Sequence, residues 1–137
     1  MCGPFLYFWG VDMEKFEITI LGCGSATPSP KHYTSSQVVE IRGKLFMVDC
    51  GEGTQIQLRR SRVAFARINH IFISHLHGDH VFGLFPLLST MGLCGRQMPL
   101  KVFAPRPFDE MLAFHLKYFD EHLPYQVEWV EVDTTKH

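Results

Sequence analysis

The sequence predicts a mixed α/β domain, and three observations lead to this fold class. Short β-branched runs alternate with segments of helical spacing, in the order β, ββ, α, β, α, β, α, β. The 137 residues are 46% hydrophobic, which is enough for one domain with a buried core. There are no internal repeats and no low-complexity tracts. We therefore expect a sheet that carries the functional site and helices that cover the sheet.

The first half of the chain begins with strands. Residues 16–21 alternate and are rich in β-formers, so they predict the first strand. The loop at 22–31 contains glycines and prolines, and it is either a plain connector or a segment whose backbone approaches a site. Residues 37–41 and 45–48 flank Arg42-Gly43 and predict a hairpin.

Helices alternate with strands after the hairpin. Thr54 to Arg60 predicts a helix, and the apolar run from His70 to Ser74 predicts a buried strand. Residues 81–92 are apolar on nearly every side, so a helix there would be buried or covered by a partner.

The last third of the sequence predicts one more αβ unit. Residues 95–99 form a loop and 100–104 a strand. Pro105 leads into a helix that runs through Phe119, and 125–132 form a final strand. In the predicted helix, His115 follows the helical spacing of the apolar residues, so we interpret it as a core or boundary histidine.

The chain is divided into a leader, residues 1–12, and a domain, residues 13–137. The leader is apolar but has no basic region before the apolar run, and it is too short to span a bilayer. We assign it no role in the fold, with contact to a membrane surface as the alternative.

Charge and cysteine content limit the function classes. The formal net charge is −1 and the pI is about 6.7, so there is no global basic field for nucleic acid. Any polyanion would need a local patch. The arginines at 59, 60, 62 and 67 form either a solvated helix face or a phosphate contact. The four cysteines form no Cys-x-x-Cys pair, which fits a reducing, cytoplasmic setting.

The segment from Ile71 to His80 is the strongest functional motif. It places His75, His77, Asp79 and His80 within six positions, a pattern that a shuffled chain shows on the order of once in a thousand. A predicted strand precedes these four residues and a predicted helix follows them, with Asp79 as the helix N-cap. Imidazole with carboxylate suits zinc, ahead of manganese or iron.

A second carboxylate follows the predicted hairpin. Asp49 ends the strand and precedes Cys50-Gly-Glu-Gly53. It either orients a ligating histidine from behind or caps a turn, and the sequence leaves both roles open.

Three segments together resemble ribonuclease Z, the tRNA 3′-processing endonuclease of the metallo-β-lactamase superfamily. They are Leu21-Gly-Cys-Gly-Ser-Ala-Thr-Pro28, Asp49-Cys-Gly-Glu-Gly-Thr-Gln55 and Phe72-Ile-Ser-His-Leu-His-Gly-Asp-His80. The histidine motif by itself resembles the motif shared by the whole superfamily. The segment that begins at Asp49 makes the resemblance specific to ribonuclease Z. The likeness runs from about Met13 to the end of the chain and corresponds to the N-terminal half of a family member.

The resemblance implies an αββα sandwich, of which this chain is the N-terminal half, and a phosphodiesterase with two zinc ions. His75 and His77 would hold one ion, and Asp79 and His80 the other. Asp79 would also share in proton transfer, with Asp49 as the buried carboxylate that supports the ligands. Precursor tRNA would be the substrate and a homodimer the assembly. We expect Lys31, Arg59 and Arg60 to contact the substrate.

The resemblance also implies ligands that this sequence lacks. The family takes a further histidine, a metal-bridging aspartate and a last histidine from segments beyond Trp129. Catalytic zinc uses at least three protein ligands per ion, whereas this motif supplies two. We therefore predict that a polypeptide ending at His137 binds metal weakly and has little nuclease activity.

Two other functions stay open at this stage. One is a different hydrolase of the same superfamily that acts on small cyclic or aryl phosphodiesters or on thioesters. The other is a non-catalytic half-domain that pairs with another chain through an exposed sheet edge and the apolar helix.

Overall fold

A six-stranded mixed sheet forms the frame of the molecule in a computed structural model that describes residues 15–119, 122–133 and 135. The predicted leader at residues 1–12 lies outside the described residues. The strands stand in chain order across the sheet, with β1 to β3 antiparallel and β3 to β6 parallel. Their bounds are Phe16–Gly22 for β1, Ser36–Ile41 for β2, Lys44–Val48 for β3, Ile68–Phe72 for β4, Leu100–Ala104 for β5 and Val127–Glu131 for β6.

The helices contribute to a single apolar core on one face of this sheet. They are α1 (Thr54–Arg60), α2 (Gly78–Val81), α3 (Leu84–Leu93) and α4 (Phe108–Tyr118), with a 3₁₀ turn at Phe65–Arg67. Fully buried Met47, Ile71 and Val102 of the strands join Leu87 and Leu88 of α3 in this core. None of the helices in the described part of the chain combines the length and the hydrophobicity of a bilayer span.

The order of the strands matches the sequence prediction, and the hairpin shows why. Arg42 and Gly43 have φ angles of 51° and 73°. Two consecutive positive φ angles give the two-residue turn whose twist matches that of the flanking strands. The predicted hairpin and the helix at Thr54–Arg60 are confirmed.

Two predicted elements differ from the structure. The single helix expected over residues 81–92 is instead the pair α2 and α3. The backbone N–H of Gly83 donates to the Cys50 carbonyl at 2.9 Å and so does not continue the helical ladder. The strand expected at 70–74 ends at Phe72, and the Ser74 N–H donates to the Asp49 carboxylate at 2.8 Å, not to a neighbouring strand.

The opposite face of the sheet is apolar and open. Phe16, Ile18 and Ile20 of β1 are 64%, 51% and 57% exposed. The rings of Phe72 and Phe103 stack on this face, with centroids 4.6 Å apart. Among the described residues, the helices cover one face of the sheet and leave this apolar face uncovered.

The carboxyl ends of adjacent strands bring the candidate site together. Asp49 directly follows β3, and the histidine-rich loop follows β4, its parallel neighbour. In open α/β sheets, ligands bind outside the carboxyl ends of the strands.

Candidate metal centre

Three of the four predicted ligands converge on one point. One potential ligand atom from each of His75, Asp79 and His80 lies within 4.8 Å of the other two, and all three residues are half-buried. The rings of His75 and His80 have centroids 3.9 Å apart. His77 is exposed and outside this triplet, although its ring lies edge-on to His75 at 4.8 Å. The donors are therefore arranged as a group of three with a fourth beside it.

Asp49 is hydrogen-bonded to this group through His80. It is 5% exposed, and its Oδ2 accepts a hydrogen bond from Nδ1 of His80 at 2.7 Å. This bond fixes the tautomer and the direction of the imidazole, so Nε2 of His80 faces Asp79 Oδ2 at 3.4 Å. Of the two roles that the sequence left open for Asp49, the geometry matches the orienting one.

The segment after Asp49 is in close backbone contact with α2. The Cys50 N–H donates to the His80 carbonyl at 2.8 Å. A Cβ at Gly51 would lie 2.1 Å from Thr34 Oγ1 and 2.5 Å from the Asp79 carbonyl oxygen, and one at Gly83 would lie 1.9 Å from the Gly51 oxygen. Side chains are excluded at both glycines, which allows the backbone that carries Asp49 to contact the backbone that carries Asp79 and His80.

Asp79 is not the helix N-cap that the sequence predicts. His77 occupies the cap position without a side-chain bond, and Asp79 lies inside the first turn of α2. Its Oδ2 accepts the Ala26 N–H at 2.8 Å, from the glycine-rich loop after β1. That bond, together with the neighbouring His80 and His75, lowers the pKa of Asp79, against an opposing effect of burial. The carboxylate is therefore ionised and available to a cation.

A small cavity opens beside Asp79. It has a volume of about 210 Å³, and Phe82, which is 62% exposed, forms part of its wall. The other lining residues are Ala26, Pro28, Thr34, Glu52, Gly78 and Asp79. Because Asp79 lines this cavity, part of a substrate can lie there beside the predicted ligands.

The predicted substrate-contacting cations lie outside the ligand group. Arg60 donates to the Tyr33 hydroxyl at 3.1 Å, Arg59 lies 3.8 Å from Cys94 Sγ, and Lys31 is exposed in the loop. The hydrogen bonds and ion pairs described for residues 15–119 do not join these cations to the histidines. His115 packs between Phe85 and Phe119, as expected of a boundary residue.

Two contributors to the site were missed by sequence reasoning. Ser74 lies between Asp49 and His75, with its Oγ 2.9 Å from Asp49 Oδ1 and 3.0 Å from His75 Nδ1. The Ala26 N–H holds Asp79. The position of Ser74 directly before the first histidine could have indicated the first role, whereas a backbone contact between distant segments leaves no pattern in the sequence.

The donor set fits a divalent transition metal. Imidazole nitrogens and a carboxylate oxygen are the ligands that such ions take in hydrolytic sites, and His80 is hydrogen-bonded to a carboxylate, as ligating histidines commonly are. The fold therefore brings three donor side chains and the carboxylate that orients one of them together.

Comparison with solved structures identifies the fold class of the chain. The described chain superimposes on a metallo-β-lactamase fold protein from Bacillus subtilis with a TM-score of 0.68 at 19% identity, covering 90% of this chain and 47% of that one. The fold is thus that of the metallo-β-lactamases, represented by the part that carries the histidine-rich loop. The chain belongs to the family described as Anti-Pycsar protein Apyc1, whose model matches residues 16–120.

Individual relatives carry the ribonuclease Z name. Ribonuclease Z of Bacteroides fragilis is 57% identical over 122 residues, which are 89% of this chain and 40% of that protein. The crystal structure of human tRNase Z, short form, gives a TM-score of 0.78 at 38% identity and covers 86% of this chain and 46% of that one. The chain is therefore similar to the N-terminal part of ribonuclease Z and spans less than half the length of these relatives.

Proposed function

We propose that the protein carrying this chain is a metal-dependent endoribonuclease that removes 3′ trailers from precursor tRNA. The observation that carries the proposal is the convergence of ligand atoms from His75, Asp79 and His80 within 4.8 Å, at the carboxyl ends of two parallel strands. The identity to ribonuclease Z supports the choice of substrate.

Each residue near the ligands has a distinct part in this proposal. Asp49 accepts from His80 Nδ1 and so presents Nε2 to the cation. The Ala26 N–H binds Asp79 Oδ2, which leaves Oδ1 to exchange a proton with the reacting water or the leaving oxygen. A bound metal supplies positive charge that activates water and offsets the charge that develops on the phosphate oxygens.

The cation is proposed to be zinc, with two ions in the complete site. The mixture of imidazole and carboxylate favours zinc, and the exposed His77 adds a fourth donor beside the triplet. Catalytic zinc takes at least three protein ligands, so two ions would need ligands in addition to these four. We also propose that the protein acts in the cytoplasm as a homodimer, as the resemblance implies.

Cleavage of a precursor tRNA by the longest natural form of the protein tests the proposal. We expect a tRNA with a 3′ hydroxyl and a separate trailer, and at least a hundredfold loss of rate in His80→Ala because a ligand is removed. His122→Ala is the matched control, since His122 is an exposed histidine between α4 and β6. Wild-type rates in His80→Ala would refute the proposal.

A hydrolase for small phosphodiesters is the second candidate, because the histidine motif fits other hydrolases of this fold and the family model that matches residues 16–120 has a different name from the ribonuclease Z relatives. The same preparation is assayed with a cyclic mononucleotide and an aryl phosphodiester. Turnover of these compounds with no cleavage of precursor tRNA would replace the first proposal by the second.

A further inference from the structure

We propose that Ser74 is a positioning residue that sets the tautomer of His75, so that the two histidines of the triplet present the same nitrogen, Nε2, to a cation. The proposal rests on the metal site of the proposed function and is independent of the substrate. It concerns a hydroxyl directly before His75 that is not itself one of the predicted metal ligands.

The Ser74 hydroxyl lies within hydrogen-bond distance of three polar atoms of the site. Although the residue is exposed, its Oγ lies 2.9 Å and 3.0 Å from the two carboxylate oxygens of Asp49 and 3.0 Å from Nδ1 of His75. Nδ1 of His80 is more distant, at 3.4 Å, and has its own partner in Asp49 at 2.7 Å.

Counting protons decides the direction of each bond. A hydroxyl has one proton, whereas the oxygens of a carboxylate such as Asp49 only accept. If the Ser74 proton pointed at His75, the hydroxyl oxygen would lie within 3.0 Å of both carboxylate oxygens with no proton between them. The Ser74 O–H therefore donates to Asp49, and Oγ accepts the Nδ1–H of His75.

The consequence is a matched pair of imidazoles. His80 donates its Nδ1–H directly to Asp49, and His75 donates its Nδ1–H to Asp49 through Ser74. Both rings then keep the lone pair on Nε2. The buried carboxylate of Asp49 thus orients two ligands, one by contact and one through the serine, whereas sequence reasoning gave it one.

Nitrogen NMR of the metal-free protein tests the tautomers directly. Histidine labelled with ¹⁵N is recorded in the longest natural form at about pH 8.5, where ordinary imidazoles are neutral. His75→Gln and His80→Gln assign the resonances. We expect both residues as the Nδ1–H form in the wild type. An Nε2–H form at His75 would overturn the proposal.

Variants at Ser74 separate positioning from a general structural effect. In Ser74→Ala we expect His75 to lose its single tautomer while His80, still bound to Asp49, keeps the Nδ1–H form. Ser74→Thr retains a hydroxyl and should restore the wild-type spectrum. Ser89→Ala is the control, because it removes a half-buried serine hydroxyl in α3. An unchanged His75 in Ser74→Ala would refute the role, and equal changes at both histidines would point to local unfolding instead.

Metal affinity supplies the second readout. Competition with a chelator for Zn²⁺ should show about tenfold weaker binding in Ser74→Ala than in wild type, with Ser74→Thr close to wild type. If the wild type binds no zinc while His75 holds the Nδ1–H form, the proposed function fails and the tautomer assignment stands. Equal zinc affinity in Ser74→Ala and wild type would show that the hydroxyl does not position the ligand.

Discussion

At the scale of single residues, Asp49 links the fold to the candidate chemistry. It is buried, has a φ angle of 58°, and accepts hydrogen bonds from Ser74 and His80. We expect Asp49→Asn to weaken metal binding 10- to 100-fold, because an amide is a poorer acceptor for the imidazole than a carboxylate. The measurement is chelator competition, and Asp109→Asn in the first turn of α4 is the control, because Asp109 is a half-buried aspartate outside the ligand group. Equal affinities in both variants would contradict the orienting role.

The neighbouring thiol shows how burial separates reactive from inert cysteines. Burial, assisted by the charge of Asp49 and opposed by a hydrogen bond with Thr54, raises the pKa of Cys50 to about 12. The thiol is therefore protonated, and unreactive, throughout the neutral range. We expect a thiol reagent at neutral pH to modify the exposed Cys23 and Cys94 first, as read by peptide mass mapping. Modification of Cys50 as fast as Cys94 would contradict this account.

At the scale of elements, two glycines decide whether the loop after β3 can lie against α2. Gly83 has an ordinary helical φ of −83°, yet a Cβ there would meet the Gly51 oxygen at 1.9 Å. We expect Gly83→Ala to lower the free energy of unfolding by about 3 kcal/mol, because backbone must move. Denaturant titration measures the loss.

The control for this substitution is Gly43→Ala in the hairpin turn. A Cβ at Gly43 would be in ordinary contact with the Arg67 guanidinium at 4.0 Å, but the φ angle is +73°, so the loss comes from backbone strain and should be about 1 kcal/mol. Equal losses in the two variants would show that the contact between the loop and α2 is not tightly packed.

A buried arginine in the segment between α3 and β5 is hydrogen-bonded to the start of β4. Arg96 donates to the carbonyls of Ala66, Ile68 and Pro99 at 2.8 to 3.2 Å and to the Asn69 side chain. We expect Arg96→Met to lower the free energy of unfolding by about 3 kcal/mol, since buried carbonyls lose their donors. Arg106→Met, on the surface, should have a much smaller effect in the same titration. Comparable losses would mean that the carbonyls find other donors.

At the scale of the whole molecule, the exposed apolar face of the sheet dominates the expected behaviour of the 137-residue chain. The face spans Phe16, Ile18 and Ile20 on β1 and continues through Phe72 and Phe103. Contiguous apolar surface of this kind favours association. We expect the isolated chain to bind the dye ANS and to show a concentration-dependent mass in light scattering.

A charged substitution on that face tests the cause. Ile18→Lys should reduce dye binding and association several-fold, whereas Leu93→Lys should not. Leu93 is 89% exposed but belongs to the helical layer, so it controls for hydrophobicity alone. A monomeric chain without dye binding would show that the face is covered.

The sequence by itself determined the order of the elements and the residues of the ligand loop. Period-two and helical patterns record which face of each element is apolar, so β1, the hairpin and α1 could be predicted closely. His75, Asp79 and His80 were identified because a dense cluster of ligands within six positions is improbable without a function.

Only the tertiary structure decided how those residues act together. Three hydrogen bonds join segments that are distant in the chain. They run from the Gly83 N–H, between α2 and α3, to the Cys50 carbonyl, from the Ala26 N–H to Asp79, and from the Ser74 hydroxyl to Asp49. Such contacts depend on which strands are adjacent and on how closely two backbones approach. A local pattern of hydrophobicity does not record strand adjacency or the distance between two backbones, and a hydrogen bond between distant segments depends on both.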